Sequence, residues 1–194
     1  MSRIEASLRA VVKDLDDLGC AFALVGGFAV SARTDPRTTK DVDVAVVVEG
    51  DEEAERLAYE LSQRGYELGA AIEQTETERL ATLRTVSPAG SVVDLLFASS
   101  GIEPELVEGA TMIEILGGLS VRVASVGHLI ATKILARDDR LRPQDRVDLA
   151  ALFRAAGDDD LSLARSTLLM VVERGYARGR DLPADLDSAL AELT

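Results

Sequence analysis

Apolar residues recur at helical spacing near the start of the chain and again throughout its last third. The first helix is capped by Ser2 and stopped by Gly19. Between these helical regions, strand-forming residues concentrate in short apolar runs at 21–25, 41–48, 79–86 and 91–97. Helices are predicted at 2–18, 28–33, 51–64, 125–137, 143–156, 161–174 and 183–193. The first two thirds of the chain are therefore predicted to be mixed α/β, and the last third is predicted to be helical.

Glycine and proline mark the turns between these elements. The pair Gly26-Gly27 ends the first strand, and a polar loop over 34–40 leads into the second strand. Hairpins are predicted around 87–90 and around Gly117-Gly118. We expect an α/β (α+β) fold in which a small mixed sheet is flanked by helices.

The 194 residues are enough for one substantial core, or for one domain with a helical appendage. We divide the chain into a core over 1–124 and a helical C-terminal part over 125–194. The sequence shows no internal repeat, and no Gly/Ser-rich linker separates the two parts. We therefore expect the two parts to share a cleft.

Composition narrows the chemistry that the chain can carry. Cys20 is the only cysteine and His128 the only histidine, which excludes an internal disulfide and argues against cysteine or histidine metal sites. The apolar runs are too short to span a bilayer, and Glu5 interrupts the region where a signal peptide would be apolar, so we expect a cytoplasmic protein without a membrane partner. The net charge of -13 means that any nucleic acid must be engaged locally.

Carboxylates are the plentiful metal ligands in this chain. Asp41 and Asp43 lie two apart in a strand, so their side chains share one face about 6 to 7 Å apart. Asp94 lies in another apolar strand, where an unpaired buried charge is costly. If the two strands are neighbours, three carboxylates converge with no basic side chain in the strands to neutralise them, and Mg²⁺ would relieve the repulsion. The alternative is that these aspartates face water at strand ends or edges.

The glycine pair is the second candidate feature. Gly26-Gly27 follows a strand and precedes a helix, so its backbone N–H groups can approach a phosphate closely. A pair of glycines is also common in an ordinary turn. Arg37 and Thr39 lie in the loop that enters the acidic strand, where a guanidinium can bind triphosphate, compensate the aspartates or remain solvated.

Two segments around these features carry a family resemblance. Leu24-Val25-Gly26-Gly27-Phe28-Ala29-Val30, followed by Arg37-Thr38-Thr39-Lys40-Asp41-Val42-Asp43-Val44, resembles the signature of the DNA polymerase beta-like nucleotidyltransferase superfamily. The Arg-x-Thr-x-Asp-x-Asp form, with the later stretches 129–137 and 142–149, is similar to the AbiEii/AbiGii branch, which contains toxins of toxin–antitoxin and abortive-infection systems. Gly27 replaces a serine of many superfamily members, and Gln144 replaces a lysine that is frequent in the branch.

This resemblance implies a nucleotidyltransferase fold and a set of site residues. Asp41 and Asp43 would bind Mg²⁺ or Mn²⁺, and Asp94 would complete one metal site and help to activate the acceptor hydroxyl. Lys133 would be a catalytic residue that reaches the β and γ phosphates of an NTP substrate, although a helix lysine is ordinarily solvated. The implied nucleotide-binding residues are Gly26, Gly27, Arg37, Thr39, Lys133 and Asp148.

Two aspartates of the later stretch have open interpretations. Asp145 and Asp148 lie three apart on one helical face, where either could orient Lys133 or Arg37, or form a surface salt bridge. We favour Asp148 because the branch motif has an acidic residue there. His128 is interpreted as structural.

The resemblance implies transfer of a nucleotide from an NTP to an acceptor, with pyrophosphate leaving. The toxin branch suggests tRNA as the acceptor, gripped by basic residues of the helical part, and a cognate antitoxin as a partner. One alternative is a small-molecule acceptor such as an aminoglycoside, whose positive charge suits an acidic cleft. Another is a domain that binds nucleotide without turnover. The basic residues considered for an RNA grip are Arg137, Arg140, Arg142 and Arg146.

Overall fold

The structure is a computed structural model that describes residues 2–73, 79–138 and 143–193. The strands are β1 (Phe22–Val25), β2 (Asp41–Val46), β3 (Glu67–Glu73), β4 (Leu80–Val86), β5 (Val92–Leu96), β6 (Thr111–Leu116) and β7 (Leu119–Val123). The helices are α1 (Arg3–Asp17), α2 (Gly26–Arg33), α3 (Asp51–Gln63), α4 (Glu103–Glu108), α5 (Val126–Ala136), α6 (Pro143–Ala155), α7 (Asp158–Glu173) and α8 (Leu182–Leu193). Arg140 and Arg142 of the proposed RNA grip lie outside the described residues.

The strands form one mixed sheet in the order β3-β4-β5-β2-β1-β7-β6. Strand β2 is central: it runs antiparallel to β1 on one side and parallel to β5 on the other. The predicted hairpins β4–β5 and β6–β7 are both present and antiparallel. The expected small mixed sheet flanked by helices is therefore confirmed.

The alternation of β2 decides which side chains meet the core. Val42, Val44 and Val46 are fully buried or nearly so, whereas the intervening Asp41 and Asp43 keep part of their surface exposed. Since successive side chains point to opposite faces of a strand, both aspartates project from the same face of the sheet.

Helix α1 packs against the centre of the sheet. A capping box between Ser2 and Glu5 satisfies the first backbone N–H groups of the helix. Its apolar residues Leu8, Val11 and Leu15 are completely buried, and α1 contacts both β2 and β5. This burial fixes the central strands that carry the aspartates.

The C-terminal helices form a group around α5. Helix α5 contacts α6, α7 and α8, and both α5 and α6 contact α2, the helix that follows the glycine pair. One hydrophobic cluster includes residues from the sheet and from these helices, for example Leu24 and Ile134. The helical part therefore approaches the sheet at the glycine turn, and the division at residue 124 stays an interpretation of the sequence.

The structure contains two elements that the sequence did not predict, strand β3 and helix α4. Strand β3 is exposed along its whole length, so it has no buried side to produce an alternating pattern. Helix α4 has only six residues, with Pro104 in its first turn, and is too short to give a helical period. Helix α2 also begins at Gly26 rather than after the pair.

Helices long and apolar enough to cross a membrane do not occur in the part of the chain that the structure describes.

Candidate active site

Three carboxylates converge at the centre of the sheet. Asp43 on β2 is the direct register partner of Asp94 on β5, and Asp41 lies two residues before Asp43 on the same face. One oxygen from each of the three lies within 4.8 Å of the others. We call Asp41, Asp43 and Asp94 the carboxylate cluster. The condition set by the sequence, that the strands of Asp94 and Asp43 be neighbours, is met.

The glycine turn packs against this cluster. Val25, the last residue of β1, is the register partner of Asp43, so the turn that follows it comes back beside the aspartate. Gly26 has a φ of +59°, and a Cβ atom on it would fall 1.9 Å from Oδ2 of Asp43. A residue without a side chain is therefore required here by both the backbone and the space.

Gly27 lies against the side chains of the loop before β2. A Cβ atom on Gly27 would fall 2.7 Å from Cγ2 of Thr39 and 3.0 Å from Nη2 of Arg37. The loop before β2 therefore lies over the start of α2, and it brings Arg37 and Thr39 next to the glycine pair. The candidate phosphate-binding residues at Gly26, Gly27, Arg37 and Thr39 are thus neighbours in space.

Asp43 is the electrostatic centre of the carboxylate cluster. Burial, together with the negative charges of Asp41 and Asp94, raises its pKa to about 7. The positive charge of Lys133 and the backbone N–H of Gly27 act in the opposite direction. The glycine turn therefore contacts the cluster directly, through the backbone N–H of Gly27. The crowded carboxylates are a set of hard oxygen ligands that suits a divalent cation.

The expectation that the strands contain no basic side chain to neutralise these carboxylates is wrong, because Arg84 pairs with Asp94. It lies on β4 as the register partner of Asp94. Its Nε donates to Oδ1 of Asp94 at 2.9 Å, and its Nη2 donates to Oδ2 at 2.6 Å. The hydrogen bonds that Arg84 donates to Asp94 raise the pKa of Arg84, so the guanidinium stays charged. In the sequence, Arg84 has only the alternating pattern of an ordinary water-facing strand residue.

Lys133 joins a second ionic group beside α2. Its Nζ donates to Oδ1 of Asp145 at 2.6 Å and lies 2.8 Å from Oδ2 of Asp148. Arg37 meets the same Asp148, with Nη2 donating to Oδ2 at 2.7 Å. We call Arg37, Lys133, Asp145 and Asp148 the Lys133 network. It joins the loop before β2 to helices α5 and α6.

The Lys133 network is largely enclosed. The side chain of Asp148 is 1% exposed and that of Lys133 is 13% exposed. Burial lowers the pKa of Lys133, but its hydrogen bonds with Asp145 and Asp148 outweigh burial and raise it. Burial likewise raises the pKa of Asp148, and the bonds from Arg37 and Lys133 bring it below the usual range. Both ends of the network therefore stay charged.

The contacts within the Lys133 network limit which of its residues can bind a nucleotide directly. Arg37 contacts both oxygens of Asp148, Lys133 lies against Oδ2, and Gln144 donates to Oδ1 at 3.4 Å. Asp148 can therefore act on a nucleotide only by orienting these cations. Lys133 has a third N–H donor beyond its two carboxylate contacts. The preference for Asp148 as the residue that orients Lys133 and Arg37 agrees with these contacts, and Asp145 is a further partner of Lys133.

The described members of the proposed RNA grip have an acidic partner within the chain. Nη2 of Arg137 donates to Glu192 of α8 at 2.7 Å, and Arg146 pairs with the other oxygen of the same carboxylate. His128 is buried against Gly109, and burial lowers the pKa of its imidazole. These contacts leave less free positive charge on the helical part than the sequence suggests.

Two surface clefts, with volumes of about 540 and 440 Å³, lie away from the carboxylate cluster. Both are lined by Val47, just beyond the end of β2, whereas Asp41 is the first residue of that strand. They therefore open at the opposite end of the central strands.

Comparison with protein families gives one match over nearly the whole chain. Residues 9–193 match the family described as "Nucleotidyl transferase AbiEii toxin, Type IV TA system". Among curated proteins, no significant match was found.

Solved structures of similar fold are nucleotidyltransferases of low sequence identity. The lincosamide antibiotic adenylyltransferase LnuA, bound to lincomycin, has a TM-score of 0.54 at 12% identity, over 78% of this chain and 98% of its own. An antigenic nucleotidyltransferase-like protein from Paracoccidioides brasiliensis has a TM-score of 0.52 at 19% identity, over 97% and 92%. The antibiotic-resistance factor ANT(2'')-Ia has a TM-score of 0.51 at 16% identity, over 97% and 93%. These likenesses show a shared nucleotidyltransferase fold.

Proposed function

The chain belongs to the AbiEii family of nucleotidyltransferase toxins, and from that premise we propose that it moves a nucleotide from an NTP to tRNA with the help of divalent metal. The reaction joins the α-phosphate to an acceptor hydroxyl and releases pyrophosphate. We further propose that a cognate antitoxin restrains this activity, as the description of the family as a type IV toxin–antitoxin system implies.

The carboxylate cluster is the proposed metal site. Its oxygens are hard ligands within 4.8 Å of one another, and such ligands suit Mg²⁺ or Mn²⁺. When bound, divalent metal neutralises triphosphate charge and favours the deprotonated form of the acceptor hydroxyl. Asp41 and Asp43 would hold the metal from one strand, and Asp94 would complete the site from the neighbouring strand and help to activate the acceptor hydroxyl.

The glycine turn and the Lys133 network are the proposed triphosphate site. Gly26 and Gly27 form the first turn of α2, where the helix dipole favours an anion, and the N–H of Gly27 also donates to Asp43. Arg37 and Thr39 lie over the same turn. Lys133 is held by Asp145 and Asp148, so its ammonium is positioned without rearrangement when a phosphate arrives.

A small-molecule acceptor is the second candidate, and three observations favour it. The net charge of -13 suits a cationic acceptor such as an aminoglycoside. Arg137 and Arg146 both pair with Glu192, whose single negative charge offsets part of the positive charge that a local grip on tRNA needs. LnuA and ANT(2'')-Ia, which share the fold, are an antibiotic adenylyltransferase and an antibiotic-resistance factor. The family nevertheless makes tRNA the first acceptor to test.

The observation that carries this proposal is the convergence of Asp41, Asp43 and Asp94 beside the glycine turn. The test supplies each of the four NTPs, labelled at the α-phosphate, to purified protein with Mg²⁺ and either total tRNA or a panel of aminoglycosides. We expect label in tRNA, and we expect Asp43→Ala to abolish the transfer.

The matched control is Asp187→Ala, which removes an exposed carboxylate of α8 that pairs with Arg165. It should transfer label at the wild-type rate. Label found only in an aminoglycoside would show that the acceptor is a small molecule and not tRNA. Nucleotide binding without transfer to either acceptor would indicate a binding domain, and an unchanged rate in Asp43→Ala would refute the site.

A further inference from the structure

Arg84 forms hydrogen bonds with both oxygens of a carboxylate in the proposed metal site. Its Nε and Nη2 atoms donate to the two carboxylate oxygens of Asp94, which is the bidentate arrangement of an arginine–carboxylate pair. Asp94 contributes one of the three oxygens that lie within 4.8 Å in the carboxylate cluster. The same carboxylate therefore belongs to two arrangements, one with a guanidinium and one with a metal.

The register of the sheet explains the overlap. Arg84, Asp94 and Asp43 are consecutive register partners across β4, β5 and β2. Directly opposed side chains on adjacent strands lie about 4.5 to 5.5 Å apart at Cβ. Asp94 thus lies between a positive neighbour on one side and a negative neighbour on the other.

We propose that Arg84 is a positioning residue that competes with divalent metal for Asp94 and so sets the metal affinity of the site. This inference rests on the proposed function, and it adds the Arg84 guanidinium to the proposed metal site. Without metal, Arg84 offsets the repulsion among the three carboxylates. With metal, Arg84 gives up at least one oxygen of Asp94.

The surroundings of Arg84 allow this exchange. Its side chain is 53% exposed, whereas that of Asp94 is 9% exposed. The guanidinium can therefore move into water without opening the core, while the carboxylate stays in place. Lys133 offers a contrast, because its ammonium is enclosed by Asp145 and Asp148. Of these two cations, Arg84 is the one that can leave its partner at low cost.

The test measures Mn²⁺ affinity directly, by the electron paramagnetic resonance signal of free Mn²⁺, without nucleotide or turnover. The variants are Arg84→Gln and Arg84→Lys. The matched control is Arg174→Gln, because Arg174 also forks onto a carboxylate, with contacts of 3.0 and 2.7 Å to Glu105. Both glutamine variants change the net charge equally, so a general charge effect would appear in both.

We expect Arg84→Gln to bind Mn²⁺ about tenfold more tightly than the wild type, because a charge-assisted competitor is gone. Arg84→Lys keeps the charge but cannot donate in parallel to both oxygens, so it should also bind more tightly than the wild type. Arg174→Gln should stay within about twofold of the wild type. A wild-type affinity in Arg84→Gln or in Arg84→Lys, or a weaker one, would overturn the competition.

A second measurement uses the unaltered protein. The Nε–H group of Arg84 donates to Asp94, so its NMR signal should shift when Mg²⁺ is added, with the same midpoint as metal binding. A signal that does not move while metal binds would also overturn the inference. Failure of the proposed function is distinguishable, since it would appear as Mn²⁺ binding that Asp43→Ala leaves unchanged.

Discussion

Gly26 and the carboxylate of Asp43 are packed so closely that a Cβ atom on Gly26 would fall 1.9 Å from Oδ2 of Asp43. Gly26 also has a φ of +59°, a conformation that L residues with side chains rarely adopt. The position of Asp43 is therefore set from two sides, by its own strand β2 and by the turn between β1 and α2. This contact links the proposed phosphate-binding turn to the proposed metal site.

The first prediction concerns this contact. Gly26→Ala should displace the Asp43 carboxylate and should lower nucleotidyl transfer on the order of 100-fold, since small misplacements of reacting groups have such effects. The backbone strain should also lower the unfolding free energy by about 1–2 kcal/mol. Transfer assays and chemical denaturation measure the two effects. Gly117→Ala is the control, because a Cβ atom there meets nothing within 4 Å; equal behaviour of the two variants would contradict the prediction.

The second prediction concerns the Lys133 network. Asp148→Asn removes the buried charge that Arg37 and Lys133 share, so unfolding free energy should fall by about 3–5 kcal/mol. The control is Asp187→Asn, which removes an exposed partner of Arg165 and should cost less than about 1 kcal/mol. Urea denaturation of both variants gives the comparison. A loss as small in Asp148→Asn as in Asp187→Asn would show that the buried pairs contribute little.

The third prediction concerns pH. In the metal-free protein the pKa of Asp43 is raised from 3.8 to about 7, mainly by burial. Between these values the folded protein holds a proton that the unfolded chain releases, so this group stabilises the fold below pH 4 and loses that contribution as pH rises to about 7. Melting temperatures in EDTA should show this decline in the wild type and a weaker one in Asp43→Asn. Parallel curves for the two proteins would rule out the raised pKa.

The part of the site on one strand follows from sequence alone. Asp41 and Asp43 share a face because the side-chain period of a strand is two residues. The approach of Asp94 required only that β5 lie beside β2, a pairing that the alternating apolar runs allow but do not specify. The glycine turn returns to Asp43 because β1 and β2 are joined by a short helix and pair antiparallel. Once the strand order is known, the local sequence pattern therefore predicts that these aspartates and the glycine turn lie together.

The ionic partners do not follow from local pattern. Arg84 lies in an alternating strand, and only the register of β4 with β5 shows that it faces Asp94. Asp148 and Arg37 are separated by 111 positions in the chain, so their pairing depends on how α6 packs against α2. Strand β3 was missed because it buries neither face. In each case the missing information is tertiary packing, which a single sequence does not contain.

The central claim is that the carboxylate cluster holds divalent metal beneath a triphosphate. Its most direct test is the anomalous scattering of Mn²⁺ in crystals of the protein grown with a non-hydrolysable NTP analogue. The account predicts an anomalous peak within coordination distance of Asp41, Asp43 and Asp94, with the triphosphate beside Gly26. A bound analogue whose Mn²⁺ lies elsewhere, with these three carboxylates uncoordinated, would contradict it.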